Sequence, residues 1–128
     1  MTTVYQSLGL PGYEGYSWND VLNAAAGSKV NFYTYGDAPR YNTWIDTYLA
    51  PRLLTLYDIT LIRHPIAKTV DAVTRVENEI ARNYGKNNGS VDLIWINGDN
   101  FARLKVCFHK RSKMVIKYAP IHNRNIFV

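Results

Sequence analysis

Cysteine is almost missing from this chain: Cys107 stands alone. That excludes an internal disulfide and leaves the redox compartment unread. Long apolar runs are missing too, and none approaches the length that spans a bilayer. The opening Met1-Thr2-Thr3-Val4-Tyr5-Gln6 has neither a basic n-region nor an apolar h-region, so no export signal is expected. Acidic residues are absent from residues 101–128. There is no phosphate loop and no nucleophile elbow, and Glu77 and Glu79 diverge on a helix rather than forming an acid pair.

What is present suits one modest globular domain. The 128 residues can bury a core but not two, and 47% hydrophobic with 20% charged residues excludes a disordered composition. The net charge of +5 is unevenly spread. Residues 1–100 hold eight basic against ten acidic residues, while residues 101–128 hold seven basic residues and no acid. The basicity therefore belongs to the tail. Such asymmetry marks either an interaction arm or a change in the origin of the sequence.

Residues 1–16, with Gly9, Pro11, Gly12 and Gly15, read as an irregular leader. Ser17 is placed to cap a helix over residues 18–26, with Asp20 near its N-terminus and Gly27 as its stop. Residues 29–35 are β-rich and predict a first strand. A helix is expected over residues 41–57, with a kink or restart at Pro51 because an interior proline breaks the ladder. Residues 59–64 predict a second strand closed by Pro65. Thr69 is expected to cap a third helix carrying the stripe Val70, Val73, Val76, Ile80. Residues 83–90 read as a loop, and residues 91–96 as a third strand.

Alternation of helices with apolar strands predicts an α/β fold: three layers, a mostly parallel sheet flanked by helices, right-handed crossovers. In such sheets ligands sit beyond the carboxyl ends of the strands. Those ends carry Tyr35, Gly36, Asp37 and Asn42 after the first strand, and Asn97, Gly98, Asp99 and Asn100 after the third. Tyr33, Tyr35 and Tyr41 have faces that attract cations, although strand tyrosines also pack against helices. Alternation places Tyr33 and Tyr35 on one face and Phe32 and Thr34 on the other. Asp37 and Asp99 can neutralise a cation; capping the following helices is the commoner role of loop aspartates.

Four stretches then resemble a known family in order: Val30-Asn31-Phe32-Tyr33-Thr34-Tyr35-Gly36, Tyr48-Leu49-Ala50-Pro51-Arg52-Leu53, Thr69-Val70-Asp71-Ala72-Val73, and residues 87–101 with Trp95-Ile96-Asn97-Gly98-Asp99-Asn100-Phe101. Together they resemble the amino-terminal lobe of a bacterial extracellular solute-binding protein of an ABC importer, in the subgroup described as thiamine- or polyamine-like binding components. The resemblance covers roughly residues 18–105. It implies one partial lobe of a type II periplasmic-binding-protein fold and a small solute, with cationic solutes as a candidate class. It also implies a membrane permease as partner, a periplasmic location, and hinge closure rather than bond-making. The same eight residues at the strand ends would contact the solute. Where the subgroup usually reads Trp-Gly-Gly, this chain has Tyr35-Gly36-Asp37, and Asp99 stands where Glu is common.

The resemblance stops near Lys105. Val106-Cys107-Phe108-His109-Lys110-Arg111-Ser112-Lys113 matches nothing in the family, so residues 106–128 are expected to be an unrelated extension of a truncated lobe. Such a chain, lacking a leader, would stay cytoplasmic. A strand over residues 113–118 is a candidate to cover the sheet edge that truncation exposes, within one chain or between copies. The alternative is a small binding module whose basic tail meets nucleic acid or an acidic partner. No recognised nucleic-acid motif accompanies Lys110-Arg111-Ser112-Lys113, and a solvated tail is the simpler reading. Cys107, His109 and His122 are too loosely spaced for a structural zinc site. No cofactor and no catalytic set is expected.

Overall fold

The computed structural model describes residues 17–82, 89–109 and 125–127. The order is α1 (Trp18–Ala25), β1 (Lys29–Tyr35), α2 (Pro39–Trp44), a π-helical turn (Ile45–Leu49), α3 (Ala50–Tyr57), β2 (Thr60–Ile66), α4 (Thr69–Ala81), β3 (Leu93–Asn97), α5 (Gly98–His109) and β4 (Asn125–Phe127). The sheet order is β2-β1-β3-β4. The first three strands are parallel, with Lys29 opposite Thr60 and Phe32 opposite Leu93, and β4 joins β3 antiparallel. The expected strand over residues 113–118 and the leader over residues 1–16 lie outside the described residues.

The central position of β1 explains its composition. Phe32, Tyr33 and Thr34 are consecutive and all buried, so both faces of the strand are covered. Tyr33 shares one face with Ile94 and Ile96, where Ala72 and Val73 of α4 and Phe101 and Leu104 of α5 close the core. The opposite face meets the α2–α3 run, through Tyr41 packed edge-on against Trp95 and Asp46 paired with Arg63. The β1-to-β2 and β2-to-β3 connections travel in opposite directions along the sheet. Two crossovers of one hand must then take opposite faces, and they do.

Local chemistry sets the element ends. The Ser17 hydroxyl accepts from the Asp20 N–H, and the Asp20 carboxylate accepts from the Ser17 N–H, a full capping box. Gly27 ends α1 at φ 76°, a left-handed conformation that a side chain would strain.

Proline explains one agreement with the sequence reading and one departure. As expected, the helical run over residues 39–57 restarts around Pro51, which lies in the first turn of α3, and a π-helical turn precedes the restart. In a plain α-helix the Pro51 ring would press on the Thr47 carbonyl and leave it without a donor. The π-helical turn, with the Ala50 N–H donating to the Ile45 carbonyl, relieves that conflict. Pro65, expected to close the second strand, lies within β2. The Thr60 N–H points to β1 and the Ile66 carbonyl accepts from Gly36, so even-numbered residues of β2 face β1. Pro65 faces away, on the side where no strand pairs with β2 among the described residues, so its missing N–H costs this ladder nothing.

Three further boundaries move. Lys68, not Thr69, is the residue before α4; the Asp71 carboxylate accepts from the Lys68 N–H at 3.3 Å. The third strand runs over Leu93–Asn97 rather than residues 91–96. The limit drawn at residue 105 falls inside α5, which continues to His109.

Candidate functional site

The strand order reverses between β1 and β3, since β1 is followed by a neighbour on one side and β3 takes the other. At such a switch point the flanking connections diverge and leave a crevice above the carboxyl ends. Extending the β1–β3 register from Tyr33 opposite Ile94 brings Gly36 level with Asn97. The two clusters singled out in the sequence are thus brought to adjacent strand ends.

Their individual roles differ. Tyr35 is 44% exposed, at the end of the strand whose middle is buried. Gly36 and Asp37 are exposed beside it. Gly36 donates its N–H to the Ile66 carbonyl at 2.8 Å, and a Cβ there would lie 3.2 Å from the Pro65 Cβ, so glycine is what lets β1 and β2 end this close. Asn42 lies beneath the loop: its Nδ2 donates to the Gly36 carbonyl at 2.8 Å and more weakly to the Tyr35 carbonyl at 3.4 Å.

The second cluster is a helix start rather than a loop. Asn97 ends β3 and its Oδ1 accepts from the Asn100 N–H at 3.2 Å, a side-chain N-cap. Gly98 and Asp99 form the first turn of α5, both exposed, with Asp99 favourably placed against the helix dipole. Capping therefore falls to Asn97 and not to Asp99. Asp37 likewise does not cap α2, whose N-cap position is Ala38 without a side-chain bond and whose first residue is Pro39.

Two further groupings, of which the sequence reading had singled out only Tyr41 and Tyr33, lie on the two faces of the sheet. Tyr41, Trp44 and Tyr48 stack in succession, with centroids 6.2 and 5.8 Å apart, and the Arg52 guanidinium lies 5.7 Å from the Tyr48 ring. The three- and four-residue spacings along one helix were the available signal. Burial pushes the Tyr41 hydroxyl up to about 12. On the other face a polar chain runs from β2 through β1 to the residue just before β3. His64 Nε2 lies 3.0 Å from Asn31 Oδ1, while the Asn31 Nδ2 and N–H donate to the Asp92 carboxylate at 3.0 and 2.7 Å. A carboxylate accepts, so the Asn31 amide must turn its oxygen to His64, and the His64 proton sits on Nε2. The His64 ring stacks on Tyr33 at 4.5 Å. No periodicity announces such a chain, because its members lie far apart in sequence.

The Asp46–Arg63 pair has a pH signature. Hydrogen bonding to Arg63 holds the Asp46 carboxyl below its ordinary 3.8. A lowered folded value means the pair's contribution is present above 3.8 and fades as pH falls through the folded value. Acid titration should therefore show wild type losing, as pH falls below 3.8, a stability increment that the Asp46→Asn variant lacks at every pH. Parallel curves for the two proteins would refute it.

Among the described residues no group of three or more His, Cys, Asp or Glu is placed to hold a metal ion, and no helix is long and apolar enough to cross a membrane. The His109 side chain and His122 lie outside the described positions. No family model matches the chain, and no solved structure matches it. The sequence is 38% identical over 88 residues to Protein YnjB of Escherichia coli (strain K12), an alignment covering 69% of this chain and 22% of that protein. The chain thus spans about a fifth of the length of the curated relative it matches.

Proposed function

We propose that the chain is a solute-binding α/β lobe of the ABC-importer receptor type, built on half of a type II periplasmic-binding fold. It takes a small solute bearing cationic nitrogen at the carboxyl ends of β1 and β3, without chemistry. One observation carries this reading: the strand order reverses between β1 and β3, with Tyr35-Gly36-Asp37 and Asn97-Gly98-Asp99 at the two ends. An exposed tyrosine face and two exposed carboxylates suit a cation. In the full receptor a second lobe closes on the solute and the complex docks on a membrane permease, on the outer side of the membrane.

A single lobe leaves half of the solute in water, so binding is expected to be weak, with Kd near about 1 mM, or about −4 kcal/mol. The test is a titration of the 15N-labelled chain with spermidine and with thiamine. Amide shifts should move at residues 35–38 and 97–99 and saturate together. No movement at millimolar solute, or movement centred on Trp44 and Tyr48, sinks the proposal.

A further inference from the structure

We propose that Asn42 is a positioning residue for this site: it does not touch solute but holds in place the loop that presents Tyr35 and Asp37. The inference deepens the solute-binding reading and rests on it for its functional consequence. Asn42 is 7% exposed, so solute cannot reach most of it. Its Nδ2 faces two carbonyls, those of Gly36 at 2.8 Å and Tyr35 at 3.4 Å. Two acceptors in that direction fix the amide orientation, because an oxygen turned toward them would repel both.

The loop is held from two sides. The Gly36 N–H is bound to Ile66 at the end of β2, and the Gly36 carbonyl to Asn42 in the second turn of the α2 run. Beyond the Asn42 N–H bond to the Ala38 carbonyl at 2.9 Å, no side chain caps the start of α2 among the described residues, and Pro39 brings no N–H. Asn42 therefore ties the β1 strand end to the helix that follows it and sets the direction in which Tyr35 and Asp37 leave the backbone.

Asn42→Asp removes the donor and points a carboxylate at two carbonyl oxygens with almost no change of shape. Asn42→Ser, too short to reach both carbonyls, serves if the aspartate variant fails to fold. In either folded variant, 15N relaxation should show residues 35–38 losing order, from the rigid range near about 0.85 to below about 0.6, while Ile94 and Ile96 stay rigid. The Gly36 amide should exchange faster. Spermidine affinity should fall about tenfold, the worth of roughly one good hydrogen bond, with the residual shifts remaining at Gly98 and Asp99. A loop as ordered as wild type in the variant overturns the inference, whether or not spermidine binds. If wild type shows no spermidine shifts, the solute-binding reading falls, and loop order still decides whether Asn42 positions this segment.

Discussion

Replacing Phe32 with alanine should cost about 3–5 kcal/mol, the range for emptying a buried aromatic site. Phe32 is 1% exposed at the middle of the central strand, facing the layer in which Ile45 is also fully buried. Neighbours on that face belong to β2, β3 and the π-helical turn, and each is pinned: β2 by its ladder to β1, β3 by its ladders to β1 and β4, the turn by Asp46–Arg63. They cannot collapse into the hole without breaking those ties, which puts the cost toward the upper end. Domains of this size are stable by about 5–15 kcal/mol, so the variant should lose a large fraction of its stability. Tyr35→Ala, three residues on but exposed, should change stability by no more than about 0.5 kcal/mol. Urea denaturation of the two variants makes the comparison. A Phe32→Ala loss below about 1 kcal/mol would mean that this face of the sheet is not the packed layer described here.

That contrast shows what periodicity can and cannot carry. Alternation assigned Phe32 and Thr34 to one face and Tyr33 and Tyr35 to the other, but both faces are covered, and Tyr35 is exposed because it ends the strand. The α/β order, the parallel pairing of three strands and the helices on both faces came from the same pattern of apolar runs. Ser17 and Asp20 announced their helix because a capping box is local chemistry. Pro65 was misread for a physical reason. Whether a proline breaks a strand depends on which side its absent N–H faces and whether a neighbour is there. Both facts belong to the sheet, not to the stretch around Pro65. Pro51 was legible, because its constraint is local: the α-helix restarts with Pro51 in its first turn, and the π-helical turn before it is the detail the sequence did not announce.

The site divides in the same way. Rules about strand ends located Tyr35, Gly36, Asp37, Asn97, Gly98, Asp99 and Asn100, and the fold brings them to neighbouring positions. Their roles required coordinates. Asn97 and Asp99 are both plausible caps by composition, and only the Asn97–Asn100 bond distinguishes them. Asn42 was picked for being polar near a strand end; its burial under the loop gives it a different task. The His64–Asn31–Asp92 chain was invisible, since its members are 33 and 61 residues apart.

The second large effect is expected at Leu104, where the sequence and the structure divide the chain differently. Charge pattern and resemblance both break near residue 105, as though the lobe ended there. The helix disagrees: α5 runs from Gly98 to His109, and Leu104 is 2% exposed in the core cluster with Val73, Ile94 and Ile96. Arg103, its neighbour in sequence, is bound to Glu77 of α4, so α5 is held against α4 by both an apolar and a charged contact. Leu104→Ala should therefore cost about 2–5 kcal/mol. Val106→Ala, two residues on and 58% exposed on the same helix, should cost within about 0.5 kcal/mol. The pair isolates packing from helix propensity, because both substitutions introduce the best helix former. Thermal melts giving similar small losses for both would place α5 outside the cooperative core. The predicted asymmetry would show that the core extends to the very residue where the resemblance fades, so that whatever follows continues a helix the core already holds at one end.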